Sequence, residues 1–197
     1  YLVKAYNNKE VDFSSVKSIN LDEYYPIEPT HDQSYRYFMN QNLFDHVNID
    51  KSNTFVPDGK AKDVNEFCKS YEKIYDSLGG VDVQILGIGR NGHIGFNEPA
   101  DELIMETHLT DLTEDTIEAN SRFFNSIDEV PKQAITMGIG TILKAKKIVI
   151  MASGENKADA IYKMLNGNVT NLCPASRLKK HNDVVLICDK AAYSRCE

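Results

Sequence analysis

No apolar run in this chain approaches the roughly 20 residues that a membrane-spanning helix requires, so no membrane span is expected. Positive charge is scarce. Lys and Arg number 22 against 29 Asp and Glu, a net charge of −7, and the basic residues cluster only in "RLKKH", Arg177 to His181. That balance argues against an extended nucleic-acid surface and leaves room for a small anionic ligand held by one or two cations. The four cysteines form no C-x-x-C pair and have no His at zinc-finger spacing, so a zinc site or disulfide framework is not expected. Free thiols in a reducing cytoplasm are the expectation. The start, "YLVKAYNNKEVDF", has no initiator Met, no cationic leader and no secretory apolar core. It reads as the end of a helix running into a strand, with something missing upstream. Linkers, internal repeats and low-complexity tracts are absent too, and 197 residues suffice to bury the core of one domain.

What is present alternates. Short β-rich runs occur at "VKSINL" (16–21), "VDVQILGIG" (81–89), "QAITMGIG" (133–140), "KIVIMA" (147–152) and "DVVLIC" (183–188). Most are continuously apolar, the pattern of parallel strands covered on both faces. Between them, "NEFCKSYEKIYDSL" (65–78) places apolar residues at 67, 68, 71, 74, 75 and 78 on one helix face and stops at Gly79-Gly80. "DQSYRYFMNQNLFDHV" and "ENKADAIYKMLNG" read as further helices, and Thr113 as the cap of a helix through "EDTIEANSRFF". The sum is a single three-layer α/β domain, Rossmann-like, with a mostly parallel sheet.

The segment "LGIGRNGHIGFNEP" spaces Gly87, Gly89 and Gly92 like a dinucleotide-binding fingerprint. Such a loop needs a helix to start at once, so that its N-terminal amides meet the pyrophosphate. Here Gly95 and Pro99 follow instead, so the segment reads as an irregular loop at a strand's carboxyl end, where open α/β sheets place their sites. It concentrates Asn91, His93, Asn97 and Glu98 within eight positions. A carboxylate five residues from an imidazole on such a loop can orient it and support its protonated form. The plainer alternative is a His satisfying turn carbonyls and a surface Glu.

"INLDEYYP" places Asp22 and Glu23 at the end of another predicted strand, where one carboxylate can serve as a base or, equally, as a turn residue ahead of Pro26. In "MASGENKAD" a strand passes through Ser153 and Gly154 into a helix, bringing Lys157 to a junction suited to phosphate. Arg122 in "ANSRFF" offers a planar bidentate clamp. Either cation, taken alone, is equally readable as a solvated surface charge.

Together "NLDEYYPI", "SYRYFMNQNLFDHVNI", "LGIGRNGHIGFNEPA", "ANSRFF", "VPKQAITMGIGTIL" and "ASGENKADAI" resemble, in order, the glucosamine-6-phosphate deaminase (glucosamine-6-phosphate isomerase) family. The resemblance runs from about Val11 to Asp189. It implies conversion of glucosamine 6-phosphate and water to fructose 6-phosphate and ammonia, in amino-sugar catabolism, with neither metal nor organic cofactor. By the same resemblance Asp22 matches the base at C2, His93 the group that opens the sugar ring, and Glu98 its orienting carboxylate. Asn91 stands beside them where some members carry Asp, and Arg122 and Lys157 match positions that hold the substrate phosphate. The partner implied is the small-molecule substrate, with no nucleic acid and no membrane, and a homo-oligomer is left open. The family's N-terminal phosphate loop, of Ser/Thr-Gly-Gly-Ser/Thr-Pro type, has no counterpart in residues 1–197, which implies that the N-terminal part of the fold is missing. Basic residues that mark an allosteric site in some members are replaced after the loop by "DELIMETHLTDL". A 6-phosphogluconolactonase-like hydrolase and a sugar-phosphate-sensing module without catalysis are the alternatives; the "IGFNEP" continuation and the joint presence of Asp22, His93 and Glu98 speak against them.

Overall fold

The structure, a computed structural model, describes residues 1–196. In chain order its elements are α1 (Leu2–Asn7), β1 (Ser18–Ile19), β2 (Asp22–Tyr25), α2 (Tyr35–Met39), β3 (Thr54–Phe55), α3 (Val64–Ser77), β4 (Val83–Leu86), β5 (His108–Asp111), α4 (Glu114–Ser121), β6 (Gln133–Thr136), α5 (Ile139–Leu143), β7 (Lys147–Ala152), α6 (Ala158–Asn166), β8 (Val184–Cys188) and α7 (Lys190–Tyr193). Helices and strands are interspersed along the chain, and the pairs β1·β3, β4·β7 and β7·β8 are parallel as expected. The chain divides into two compact units, residues 1–63 with 111–135 and residues 64–110 with 136–197.

In the first unit Phe13, Phe44 and Ile49 form a buried cluster on which Tyr6, Met39, Leu43 and Val47 pack. The strand expected over 16–21 is only Ser18–Ile19, paired in parallel with Thr54–Phe55. Asp22 therefore does not trail that strand. It opens a separate strand, β2, which joins the sheet ordered β2-β6-β5 after Asn20 has donated its amide to the Phe55 carbonyl at 2.8 Å and the chain has left β3. Thr113 caps α4 as expected, its hydroxyl accepting the Thr116 amide at 3.3 Å.

In the second unit β4, β7 and β8 form a parallel sheet in the order β4-β7-β8, with Leu86 opposite Ile150 and Ile150 opposite Leu186. α3 buries Cys68, Tyr71 and Tyr75, three of the positions on its apolar face, and ends before Gly79. The expectation that both sheet faces are covered needs correction. Successive side chains of a strand point to opposite faces. The row containing Leu86, Ile148 and Ile150 is buried, whereas Val83, Ile85, Met151, Val185 and Ile187 are each between 39% and 57% exposed. Continuous apolarity here reflects the sequence of a doubly covered sheet, but among the described residues one face carries no such cover.

Candidate active site

The strand β4 ends at Leu86 and no helix follows; the next regular element is β5. The nucleotide-loop alternative therefore fails, and residues 87–99 form an irregular loop. Its shape is fixed by its own backbone and by two anchors. Gly89 donates to the His93 carbonyl at 2.9 Å, and Gly92 donates to the Gly89 carbonyl at 3.0 Å. Farther on, the Phe96 amide donates to the Thr136 hydroxyl at 3.1 Å, and the buried Asn97 amide group donates to the carbonyls of Ile94 (2.9 Å) and Met137 (2.8 Å). Beyond the loop, Glu72 of α3 holds Thr107 through its amide (2.7 Å) and hydroxyl (2.6 Å).

Within this frame three side chains meet. Glu98 Oε2 lies 3.1 Å from His93 Nδ1 and accepts from Asn91 Nδ2 at 2.6 Å, while Asn91 Oδ1 accepts the His93 amide at 3.1 Å. His93 and Glu98 are largely buried, at 20% and 9% side-chain exposure, so the carboxylate is aimed at the ring in an environment poor in water. With Nδ1 directed to Glu98, the other ring nitrogen is the one left to exchange protons with a ligand. A Cβ on Gly89 would lie 2.4 Å from the imidazole. Glycine at 89 is thus the bed on which the ring rests. Gly92, at φ +87°, leaves space that a Cβ would fill against Cys173 Sγ at 2.6 Å. The loop's glycines serve side-chain packing, which a fingerprint search does not register.

In the first unit Asp22 is partly buried on β2. Burial and the neighbouring Glu23 charge push its carboxyl up to about 7, far above the usual carboxylate range. Tyr24 and Tyr35 stack nearby, with ring centroids 5.2 Å apart, and Tyr24 meets Phe124 edge-on at 5.8 Å. Phe124 follows Arg122 by two positions, so the "SRFF" turn rests against the same strand as Asp22. Arg122 itself is exposed, with its guanidinium 4.6 Å from the Phe123 ring centroid.

In the second unit Gly154, at φ +90°, turns β7 toward α6, and Asp189 accepts its amide at 3.0 Å. Lys157 is partly buried and its Nζ donates to the Ile88 carbonyl at 2.7 Å. The lysine expected to meet phosphate therefore also braces the strand end that leads into the His93 loop, a contact that spacing along the chain does not announce. Among the described residues no cluster of His, Cys, Asp or Glu could hold a metal ion.

Residues 1–187 match the family described as glucosamine-6-phosphate isomerases/6-phosphogluconolactonase. The chain belongs to that family. It is 59% identical over 191 residues to a glucosamine-6-phosphate deaminase of Clostridium perfringens, covering 97% of this chain and 79% of the relative. A glucosamine-6-phosphate deaminase of Clostridioides difficile is 56% identical over 194 residues, 98% of this chain and 78% of the relative. Among solved structures, a monomeric glucosamine-6-phosphate deaminase superposes with TM-score 0.96 at 44% identity over 98% of this chain and 80% of that one. A 6-phosphogluconolactonase from Thermotoga maritima shares the fold, with TM-score 0.71 at 20% identity over 95% of this chain and 80% of that one.

Asn91 gives a test of the loop. Replacing its amide by a carboxylate, Asn91→Asp, sets an anionic oxygen where Nδ2 now donates to Glu98. Two carboxylates at that separation disfavour each other's ionised form. The variant is expected to lose more thermal stability at pH 8 than at pH 5, where the pair shares a proton; an equal loss at both pH values contradicts the contact.

Proposed function

We propose that this chain converts glucosamine 6-phosphate and water to fructose 6-phosphate and ammonia. The observation that carries the reading is the Asn91, His93 and Glu98 cluster, a buried carboxylate seated on an imidazole at a strand's carboxyl end. The names of the relatives at 56% and 59% identity support the substrate. The continuous family match from residue 1 to 187 supports reading 1–197 as a single sugar-phosphate isomerase/deaminase domain. All four cysteines are free, in keeping with a reducing, cytoplasmic setting.

The chemistry divides among the residues as follows. His93, oriented by Glu98, moves a proton from the anomeric hydroxyl to the ring oxygen, which opens the pyranose to the aldehyde. Asp22, ionised, removes the proton from C2; the C1–C2 double bond forms as the C1 carbonyl π bond breaks toward O1, which takes a proton from water, giving an enolamine. Return of a proton at C1 gives the ketimine at C2. Water adds to that carbon, and ammonia leaves as the C2–N bond breaks, completing the ketose. By resemblance, Arg122 and Lys157 are the cations for the phosphate, and binding a dianion is what places C1 and C2 for reaction. A carboxylate of ordinary basicity attacks a carbon acid poorly, and the raised basicity of Asp22 suits it to the task.

The reading is tested by offering the protein glucosamine 6-phosphate and 6-phosphogluconolactone side by side. Ammonia from the first and no acid release from the second above the spontaneous rate are expected. The reverse pattern assigns the chain to lactone hydrolysis instead.

A further inference from the structure

The residue beside Asp22 is a second carboxylate, and it is almost wholly inside the protein. Glu23 is 1% exposed, and its two oxygens take four hydrogen bonds: Oε1 from the amides of Tyr24 (3.0 Å) and Tyr35 (2.9 Å), Oε2 from the Ser34 hydroxyl (2.7 Å) and the Arg36 amide (3.0 Å). Three of the donors belong to the turn entering α2, eleven to thirteen residues away, so one side chain fastens β2 to the start of that helix. A buried polar group needs hydrogen-bond partners, and this one draws them from both elements. The Arg36 guanidinium, the cation on the same turn, donates to the Thr54 hydroxyl and carbonyl, both at 2.9 Å.

We propose that Glu23 is a positioning residue for the C2 proton transfer: its four hydrogen bonds register β2 against the start of α2 and so fix the place of the adjacent Asp22 carboxylate. Neighbouring positions of a strand face opposite ways, so Glu23 acts from the far side of β2 without meeting substrate. Burial is the larger cause of the raised Asp22 carboxyl and the Glu23 charge the smaller, so a β2 held in register keeps Asp22 out of water. This inference rests on the proposed role of Asp22 as base.

Glu23→Gln turns part of the acceptor set into a donor, so an NH2 faces amides or a hydroxyl that it cannot satisfy and the tie between β2 and α2 loosens. Two readings are taken on the protein: the carboxyl titration of Asp22 by carbon-13 NMR, which needs no turnover, and kcat and KM for ammonia release from glucosamine 6-phosphate. The Asp22 midpoint is expected to move to lower pH as water reaches the displaced carboxyl, and kcat to fall about tenfold while KM stays within about twofold. Ser34→Ala, which removes one of the four donors and stands in should the Gln variant fail to fold, is expected to move both in the same directions by less. An unmoved Asp22 midpoint with kcat within about twofold of wild type, or KM rising in step with a fall in kcat, overturns the proposal. If the wild-type protein releases no ammonia, the function fails, yet the NMR titration still reads whether Glu23 fixes the surroundings of Asp22.

Discussion

Asp22→Asn is expected to lower kcat for ammonia release by about a thousandfold, with KM changed less than about threefold. Asparagine preserves the size of the side chain and cannot accept the C2 proton. The same change is expected to stabilise the protein. A carboxyl raised in the folded state to about 7 contributes stability that is complete below its unfolded value and is lost as pH rises through 7. At pH 8 Asp22 is therefore an ionised group held at a cost, and an uncharged amide relieves it by on the order of 1 to 3 kcal/mol. Thermal unfolding at pH 5 and pH 8 separates the two states: the variant's advantage is large at pH 8 and small at pH 5. Loss of activity together with loss of stability at pH 8 would indicate that Asp22 is a structural residue.

His93→Gln is the second large effect, a fall of about 10²- to 10⁴-fold in kcat/KM. Glutamine occupies the ring's place and still reaches Glu98, but it cannot both take and give a proton near neutrality. The residual rate is then limited by the fraction of sugar that opens unaided. Added imidazole, which supplies the missing proton exchange in solution, is expected to restore part of the rate in the variant and none in the wild type. An undiminished rate in His93→Gln, or a deficit that imidazole leaves untouched, removes the ring-opening role.

The parts of the fold that depend on local patterning were legible in the sequence. The apolar positions of α3, the continuous run of β7 and the Thr113 cap each answer to interactions within a few residues, and each is found where the pattern places it. The loop was legible by what it lacked, since no helix follows Gly92. The His93 and Glu98 pair was legible from its spacing and is found in contact. What pattern reading missed depends on partners far along the chain. β2 is a strand apart from β1 because β1 pairs with β3, thirty-six positions on, whereas β2 pairs with β6, much farther along. Glu23 looked like a companion to the base and is instead the acceptor for donors from Ser34 to Arg36. Lys157 looked like a phosphate ligand alone and is also bonded to the Ile88 carbonyl. Gly89 looked like part of a phosphate cradle and is the surface beneath an imidazole. Apolarity in β4 and β8 was read as burial on both sides, but composition shows that a face is able to be buried, not that residues of this chain bury it.

The account turns on a base of raised basicity acting on an amino sugar, and one measurement reaches it directly: the rate of ammonia release from glucosamine 6-phosphate as a function of pH. The predicted result is a rate at limiting substrate that rises through a midpoint near pH 7, where Asp22 loses its proton. Absence of ammonia at every pH, or a rate level from about pH 5 to pH 8, would contradict it.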